Sequence, residues 1–289
     1  MQNLKEHKAH KTAQQPSLFG ILNITADSFS DGGCFIEPQA ALRHAEKLSA
    51  GGAQILDIGA ASSHPDAQSV SPQAEIARLA KVWPQLKKLN VPLCVDSFQP
   101  QTQSWAMAQG TDWLNDINGF AAPALYDELA DSACRLVVMH AIQAKGIATR
   151  SAVPHDKADM WARILRFFAA RLADLQAAGI DLPRLVLAPG LGYFLGTKPH
   201  NSLVILADIG RLKQEFGLPV LVSVSRKSFV RQVAGVDIAD SQAATLAAEL
   251  WAAAQGVDYI RTHNPAALVQ ALKVNQQLVR QQLARQSSE

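Results

Sequence analysis

Short apolar runs alternate along the chain with longer segments in which apolar residues recur every three or four positions. The short runs predict buried β-strands, and the longer segments predict amphipathic helices. The pattern predicts eight strands, at 19–24, 53–61, 91–97, 112–119, 135–140, 185–192, 219–225 and 258–263. Each strand precedes a predicted helix, at 38–50, 73–88, 100–109, 123–130, 156–178, 201–216, 241–255 and 265–285.

This alternation is typical of a (β/α)8 barrel, and glycine at most helix ends supports the helix boundaries. The competing topology is a doubly wound open sheet, which usually carries GxGxxG after its first strand. The corresponding segment here, GILNITADSFSDGG at 20–33, has no such motif. We therefore expect the α/β class and a single-domain TIM barrel over 17–289, after a disordered lead-in at 1–16.

The first predicted strand runs directly into a polar loop that ends in two glycines. Strands of α/β enzymes that end in this way present a ligand-binding edge. The loop after the second predicted strand is similarly polar and contains prolines. We expect these two loops, at 27–34 and 62–73, to close over a bound ligand.

Composition narrows the function classes. A net charge of +2 with 18% charged residues gives no basic field for nucleic acid. The three cysteines are too widely spaced for a disulfide framework or a CxxC metal site. No apolar run is long enough for a membrane span or a signal peptide. We expect a cytoplasmic protein whose partners are small molecules, with neither nucleic acid nor membrane among them.

Polar or ionisable residues follow seven of the eight predicted strands. Because the carboxyl ends of barrel strands meet at one mouth, these residues are expected to converge there. They are Asn23, Asp57, Asp96, Asn115 with Asp116, His140, Ser225 with Arg226 and Lys227, and Arg261 with His263. The remaining strand ends in Ala188.

These residue types suit two halves of one ligand. Asp57, Asp96 and Asn115 can hydrogen-bond the ring nitrogens and amino group of a heterocycle. Arginine, lysine and histidine from the last two strands supply donors for phosphate, and Asn23 offers an oxygen to Mg²⁺. A heterocycle joined to a diphosphate is the substrate that these residues indicate.

Eight segments in order resemble the dihydropteroate synthases of folate biosynthesis: GILNITADSFSDGG, ILDIGAASS, VDS, LNDING, LVVMH, APGLGYFLG, VSVSRKSF and IRTH. The resemblance covers 19–272, which is nearly the whole chain. It implies a transferase that condenses 6-hydroxymethyl-7,8-dihydropterin pyrophosphate with p-aminobenzoate, releasing pyrophosphate in a dissociative displacement. It also implies Mg²⁺ and a homodimer.

The resemblance assigns roles to individual positions. The catalytic positions that it implies are Asp57, Lys227, Arg261 and His263. The implied pterin site contains Asp96, Asn115, Ala188 and Lys227. The implied diphosphate site contains Asn23, Arg261 and His263, with Asn23 as the metal ligand. The implied p-aminobenzoate site contains Ser63, Pro65, Phe120, Tyr193 and Ser228.

Within that family, the chain resembles most closely the mobile, sulfonamide-insensitive synthases. The segments AASSHPDA and NDINGFAAPALY carry this resemblance. The pair Gly119 and Phe120 resembles the small insertion by which those enzymes exclude sulfonamides while admitting p-aminobenzoate. The alternative interpretation of Phe120 is a packing residue at the barrel rim.

Two positions depart from the family pattern. His64 stands where housekeeping synthases usually carry arginine. Histidine gives a weaker, pH-dependent positive charge at this position. Ala188 stands where the family motif has aspartate, so a hydrogen-bonded charge for the pterin is missing. Ala188 can be an engineered inactivating change, a natural variation in pterin binding, or a mark of a homologue that no longer makes folate. The other motifs favour a weakened or disabled synthase.

Two alternative functions stay open. One is a methyltransferase domain that binds a methylated pterin on the same barrel, although SRKSF and the pair Arg261 and His263 argue against it. The other is a pterin-binding barrel without catalysis, which only Ala188 supports.

Overall fold

The computed structural model describes residues 15–25, 38–143, 146–148, 150 and 157–286. Eight strands are found in these residues: β1 Ser17–Asn23, β2 Ile55–Gly59, β3 Leu93–Asp96, β4 Trp113–Asp116, β5 Arg135–Met139, β6 Leu185–Ala188, β7 Leu221–Val222 and β8 Tyr259–Thr262. All pairings are parallel, in the order β6-β5-β4-β3-β2-β1-β8-β7. A parallel bridge from Leu187 to Val220 joins the two edges, so the sheet is nearly closed into a barrel.

Helices surround this barrel in the described part of the chain. They are α1 Pro38–Ala50, α2 Pro72–Lys87, α3 Pro100–Ala108, α4 Tyr126–Asp131, α5 Lys157–Ala177, α6 Pro199–Ala207, α7 Gly210–Phe216, α8 Ser228–Ala234, α9 Gln242–Ala254 and α10 Pro265–Gln286. Short 3-10 turns occupy Pro123–Leu125, Leu182–Arg184 and Gly192–Leu195. The predicted TIM barrel is confirmed, and the open doubly wound sheet is excluded.

Alternation along the strands divides the core into two layers. In β2, Leu56 and Ile58 pack against the surrounding helices, whereas Ile55 belongs to an inner cluster inside the barrel. The same alternation places Cys94 of β3 in the inner cluster. Side chains two positions further along these strands, Asp57 and Asp96, therefore project into the barrel near its C-terminal end.

Aromatic rings fill the opposite, N-terminal end of the barrel. Phe19, Trp113 and Tyr259 contact one another edge to face at centroid distances of 5.2 to 5.6 Å. The guanidinium of Arg135 lies 4.4 Å from the Trp113 ring centre and donates a 2.8 Å hydrogen bond to the Tyr259 hydroxyl. This packing closes the bottom of the barrel and leaves the C-terminal end for a ligand.

The predicted helix at 201–216 is wrong in its continuity, because the structure has two helices, α6 and α7. The interruption lies at 208–209, and Gly210, the first residue of α7, packs against the end of α9. A Cβ at Gly210 would lie 2.9 Å from the carbonyl oxygen of Gln255, so this contact requires glycine.

The region after the seventh strand also differs from the prediction. The structure has only two residues in β7, and a helix that was not predicted, α8, lies between the predicted strand at 219–225 and the predicted helix at 241–255. Arg226 adopts a left-handed φ of 60°, which turns the chain sharply out of the sheet before α8. Helix α8 ends at Gly235, which has a φ of 67°.

Some predictions concern parts of the chain that are outside the described residues. They are the closing loop at 27–34 and all but the last two positions of the lead-in at 1–16. None of the helices that the structure describes combines the length and the apolarity needed to cross a membrane.

Candidate functional site

A cavity of about 160 Å³ lies at the C-terminal ends of the strands. Seven of the residues predicted for the site line it: Ser63, Asp96, Asn115, Ala188, Lys227, Arg261 and His263. They come from five different strand ends and one loop. The structure thus brings together side chains that are up to 200 positions apart in the sequence, Ser63 and His263 being the most distant pair.

The guanidinium of Arg261 is held by two carboxylates inside the barrel. Its Nε lies 2.5 Å from Oδ2 of Asp57, and its Nη2 lies 2.6 Å from Oδ2 of Asp96. Asp57 is fully buried beneath the cavity, whereas Asp96 lines it. Burial raises the pKa of Asp96, and the nearby Asp57 adds to this, while Arg261 opposes it. The Arg261 side chain, which lines the cavity, is therefore held in one position by these two ion pairs.

Two buried oxygens at the cavity have no protein partner among the described residues. They are Oδ1 of Asn115 and Oδ1 of Asp57. A buried polar atom without a hydrogen bond costs about 1 to 3 kcal/mol, and a bound ligand or water can supply the missing partner. Because Asn115 lines the cavity, its free oxygen is available to a donor on a bound ring.

Lys227 reaches the cavity from the N-cap of α8. Its Nζ donates a 2.9 Å hydrogen bond to the carbonyl of Leu191 and lies 5.0 Å from the centre of the Phe194 ring. Burial lowers the pKa of Lys227 to about 7; Arg261 lowers it further, and Asp96 opposes the change. The Lys227 side chain therefore changes between ammonium and neutral amine near neutral pH.

His263 is oriented by Ser225 across β7 and β8. The Ser225 Oγ lies 2.9 Å from Nδ1 of His263 and accepts a 3.3 Å hydrogen bond from its backbone N–H. With that acceptor role filled, the hydroxyl proton can point to Nδ1, which leaves Nε2 as the protonated nitrogen. Burial, and then Arg226, lower the pKa of His263 to about 3. His263 is therefore a neutral donor at physiological pH.

Part of the cavity lining is apolar. Ala188 of β6, Met139 of β5, Leu221 of β7 and Ile117, which follows β4, all line the cavity. The carbonyl of Pro189, the residue after Ala188, accepts a hydrogen bond from the ring of His140. This side of the cavity offers no charged side chain to a ligand.

His140 and Asp116 do not face the cavity, although both were predicted to do so as strand-end residues. His140 is buried, its Nδ1 lies 3.2 Å from the carbonyl of Pro189, and burial lowers its pKa to about 4. Asp116 points away from the barrel interior, and its carboxylate accepts hydrogen bonds from the backbone of Asn118 and Phe120. Both side chains shape loops at the mouth.

Tyr193 and Ser228 line a neighbouring pocket of about 380 Å³, together with Arg231. The ring of His64 contacts Tyr193 edge to face at 5.5 Å. Arg150, which forms an ion pair with Asp66, lies 5.8 Å from the Tyr193 ring centre. Three different loops therefore meet around Tyr193.

The other predicted site residues lie elsewhere. Asn23 is exposed at the end of β1, where Gly59 leaves space beside its amide oxygen. Pro65 is half-buried in the loop after β2 and lines neither pocket. Phe120 is 1% exposed and packs in the layer between sheet and helices, with a left-handed φ of 58°. The structure therefore puts its ring outside the cavity.

Metal binding at this site depends on oxygen ligands. Among the described residues, no group of three or more His, Cys, Asp or Glu side chains is arranged to hold a metal ion. The exposed amide oxygen of Asn23 fits Mg²⁺ only as one ligand among several, because Mg²⁺ often keeps water and substrate phosphate oxygens as its other ligands.

One cavity residue was missed in the sequence. Phe194 lines the cavity from the turn Gly192–Leu195. Ser225 was expected at the mouth as a strand-end residue, but its role in orienting His263 was not predicted. Phe194 lies in the turn after β6, and no local pattern separates it from a packing residue.

Comparisons with known proteins agree with the fold and show the family. A family model described as "Pterin binding enzyme" matches residues 19–263. A dihydropteroate synthase type-2 of Escherichia coli is 52% identical over 257 residues, covering 89% of this chain and 94% of the relative. The dihydropteroate synthase of a Neisseria meningitidis strain is 34% identical, covering 90% and 92%. A structure of Xanthomonas albilineans dihydropteroate synthase with 4-aminobenzoic acid superposes with a TM-score of 0.82 at 35% identity, covering 92% and 94%.

Proposed function

The chain belongs to the dihydropteroate synthase family of transferases, and on this premise we propose that it condenses 6-hydroxymethyl-7,8-dihydropterin pyrophosphate with p-aminobenzoate. The observation that carries this proposal is the unpartnered Oδ1 of Asn115, which lies in the same cavity as Asp96 and Lys227. An acceptor amide, a carboxylate and an ammonium match the donors and the carbonyl acceptor on the edge of a pterin.

The pterin ring would lie in the cavity against Asp96, Asn115 and Lys227. The carboxylate and the amide oxygen accept from ring N–H and amino groups, and the ammonium donates to the ring carbonyl. The Arg261 guanidinium, fixed by its two carboxylates, offers a flat cationic surface beside the ring. Its position does not have to change when the ring enters, which is what preorganisation requires.

The diphosphate would extend from the ring toward His263 and Asn23. Neutral His263 donates through Nε2, and Arg226 supplies an exposed cation one strand away. Mg²⁺, when bound, would supply positive charge to the diphosphate oxygens, with Asn23 as its protein ligand. The family roles of Asn23, Arg261 and His263 remain part of this proposal.

In the reaction, the bond between the pterin methylene carbon and the pyrophosphate oxygen breaks, and its electron pair leaves with pyrophosphate. The arylamine nitrogen then forms the new bond with its lone pair and releases a proton. The apolar walls of the cavity keep water from the methylene cation. Asp57 and Asp96 place negative charge below that cation, which stabilises it electrostatically.

p-Aminobenzoate would enter beside Ser63, Tyr193 and Ser228. The hydroxyl of Ser228 and the guanidinium of Arg231 share one pocket, which gives the carboxylate of the substrate a donor and a cation. Pro65 belongs to the loop that carries Ser63, and its proposed role is to shape this entrance.

Ala188 weakens this synthase in our proposal. An aspartate there would meet the amino-pyrimidine edge of the pterin, and Ala188 leaves an apolar wall instead. Loss of one charged hydrogen bond corresponds to about 1.5 to 3 kcal/mol of substrate binding. Asp96 and Asn115 remain, so we expect reduced rather than absent binding.

We also propose that the enzyme is insensitive to sulfonamides, because its segments AASSHPDA and NDINGFAAPALY resemble those of the sulfonamide-insensitive synthases. We assign this insensitivity to Phe194 rather than to Phe120, because of where the two rings lie. Phe194 lines the cavity, whereas Phe120 packs outside it. A bulky ring near the p-aminobenzoate entrance restricts substituents on a sulfonyl group more than it restricts a planar carboxylate.

A homodimer is the proposed assembly. Helices α6, α8 and α9 form an apolar groove of about 400 Å³, in which Leu203, Val233 and Trp251 are 40%, 62% and 50% exposed. Such a patch is typical of a protein interface. A second copy presenting the same groove would satisfy it as a self-complementary contact.

Turnover is the direct test. Pyrophosphate release should be measured with both substrates and Mg²⁺ for this protein and for Ala188→Asp, each with and without sulfamethoxazole. Faster release by the aspartate variant, with drug resistance in both, supports a weakened insensitive synthase. Pterin binding without turnover in either protein would favour a binding barrel. Transfer of a methyl group from a methylated pterin would favour the methyltransferase alternative.

A further inference from the structure

Glu75 is a buried carboxylate outside the cavity. It lies in the first turn of α2 and is 1% exposed. Its Oε2 accepts hydrogen bonds from Ser97 Oγ at 2.9 Å, Gln99 Nε2 at 2.8 Å and Thr102 Oγ1 at 2.7 Å. All three partners donate to one oxygen, which compensates for the cost of burying the charge.

Two helix N-termini meet at this carboxylate. Glu75 is in the first turn of α2, and Thr102 is in the first turn of α3. The positive ends of both helices favour an anion at this point. The charge is therefore a built part of the junction between α2 and α3.

One of the three bonds leads directly to the cavity. Ser97 is the residue after Asp96, at the end of β3. The backbone of Ser97 is held as well, because its N–H donates to the Asn115 carbonyl at 3.1 Å and its carbonyl accepts from Gln103 Nε2 at 2.7 Å. Glu75 completes this set by holding the Ser97 side chain.

A second bond leads to the loop after β2. Gln99 Nε2 donates to the carbonyl of Val70 at 3.0 Å as well as to Glu75. Val70 ends the loop that carries Ser63, a cavity residue. A single carboxylate thus joins the strand end that carries Asp96 to the loop on the proposed p-aminobenzoate side.

We propose that Glu75 is a positioning residue for the condensation: through Ser97 it holds Asp96 against Arg261, and through Gln99 it anchors the loop of Ser63. This inference rests on the proposed synthase function. Glu75 touches no substrate in this assignment, and it acts only through these two partners.

Glu75 also contributes to the electrostatics of Asp96. The charged groups that act electrostatically on Asp96 are Arg261 from β8, Asp57 from β2, Asp116 from β4, Lys227 before α8 and Glu75 from α2. Burial is the main cause of the raised pKa of Asp96, and the negative charge of Glu75 adds to it. Removal of that charge should lower this pKa.

The test compares variants that break different bonds to the same oxygen. Ser97→Ala removes the bond that leads to Asp96, and Thr102→Val removes a bond of similar length that leads only into α3. We expect Ser97→Ala to weaken pterin binding about fivefold or more and Thr102→Val to change it less than about twofold. Calorimetric titration of each variant with the pterin pyrophosphate, with Mg²⁺, measures the difference.

Two variants replace Glu75 itself, Glu75→Gln and Glu75→Leu. Glu75→Gln keeps the shape and one acceptor oxygen, so binding should fall less than in Glu75→Leu, for which we expect about tenfold or more. Binding should increase with pH as Asp96 ionises, and in Glu75→Gln the midpoint of this increase should shift to lower pH. Glu128→Gln is the control, because Glu128 also accepts a hydrogen bond from α3, at Ser104, but on the exposed side.

A thermal unfolding curve for each variant separates positioning from folding. If Ser97→Ala and Thr102→Val bind the pterin equally well, the proposed role of Glu75 is wrong. An unshifted pH midpoint in Glu75→Gln, with weakened binding, would assign Glu75 a structural role only. If the unsubstituted protein binds no pterin, the synthase function fails first, and Glu75 has no part in it.

Discussion

Nε of Arg261 lies 2.5 Å from Oδ2 of Asp57, and the two residues are 204 positions apart. Asp57 is inaccessible to water, with a relative exposure of 0%, and its carboxylate contacts the Arg261 cation. Asp96 completes the clamp on the other side of the guanidinium. A charged wall of the cavity is thereby rigid before any ligand arrives.

Asp57→Asn should destabilise the protein and impair it. Removing one partner of a buried ion pair costs up to about 3 to 5 kcal/mol, because Arg261 then keeps only Asp96 as a compensating charge. Urea unfolding should show this loss, and the specificity constant should fall with it. Lys213→Met, which removes an exposed 2.6 Å pair with Asp258, should cost less than about 1 kcal/mol. Equal losses in the two variants would contradict the clamp.

Ala188→Asp should tighten pterin binding about tenfold to a hundredfold, because it adds a charged hydrogen bond in a buried site. Ala188→Asn adds an uncharged group of the same size and should gain less. Titration with the pterin pyrophosphate measures both. Unchanged affinity in Ala188→Asp would mean that this wall does not contact the pterin edge.

The specificity constant should fall as pH rises through about 7. The cause is Lys227, whose pKa is lowered to about 7, so that its donating ammonium is present below this value and lost above it. Lys227→Arg keeps its charge at every accessible pH, so this pH step should disappear from its profile. Persistence of the same step in Lys227→Arg would assign the titration to another group.

Gly190→Ala should prevent correct folding of the mouth. A Cβ at this position would lie 2.0 Å from the carbonyl oxygen of His140, and the φ is 59°. Gly217 has a similar φ of 66° but no atom within 4 Å of a Cβ, so Gly217→Ala tests the backbone effect alone. We expect a loss of about 1 kcal/mol for Gly217→Ala and a much larger loss for Gly190→Ala. Thermal unfolding distinguishes them.

Val233→Glu should dissociate the proposed homodimer. Val233 lies in the apolar groove and is 62% exposed; Val274 on α10 has the same exposure outside the groove. A buried, unpaired carboxylate at the interface is unfavourable, whereas Val274→Glu stays in solvent. Sedimentation of both variants checks this. A dimer that survives Val233→Glu and dissociates with Val274→Glu would place the interface on α10.

Local sequence patterns were sufficient for most of the fold. The helix at 38–50 was predicted with its observed bounds, and all eight strands were found, because strand and helix periodicities depend on neighbours only. The helix predicted at 201–216 is interrupted at 208–209, next to Gly210, which approaches Gln255 of another element. Such an approach leaves no periodic signal in the sequence.

The barrel and the set of polar strand ends were predictable from the amino-acid sequence, because both follow from short-range alternation of apolar and polar residues. Which of those residues share the cavity became known from the folded structure. Asn115 faces inward while its neighbour Asp116 faces the loops, and Phe194 lines the cavity while Phe120 does not. These outcomes depend on strand register and on contacts between distant segments, and a linear pattern does not contain them.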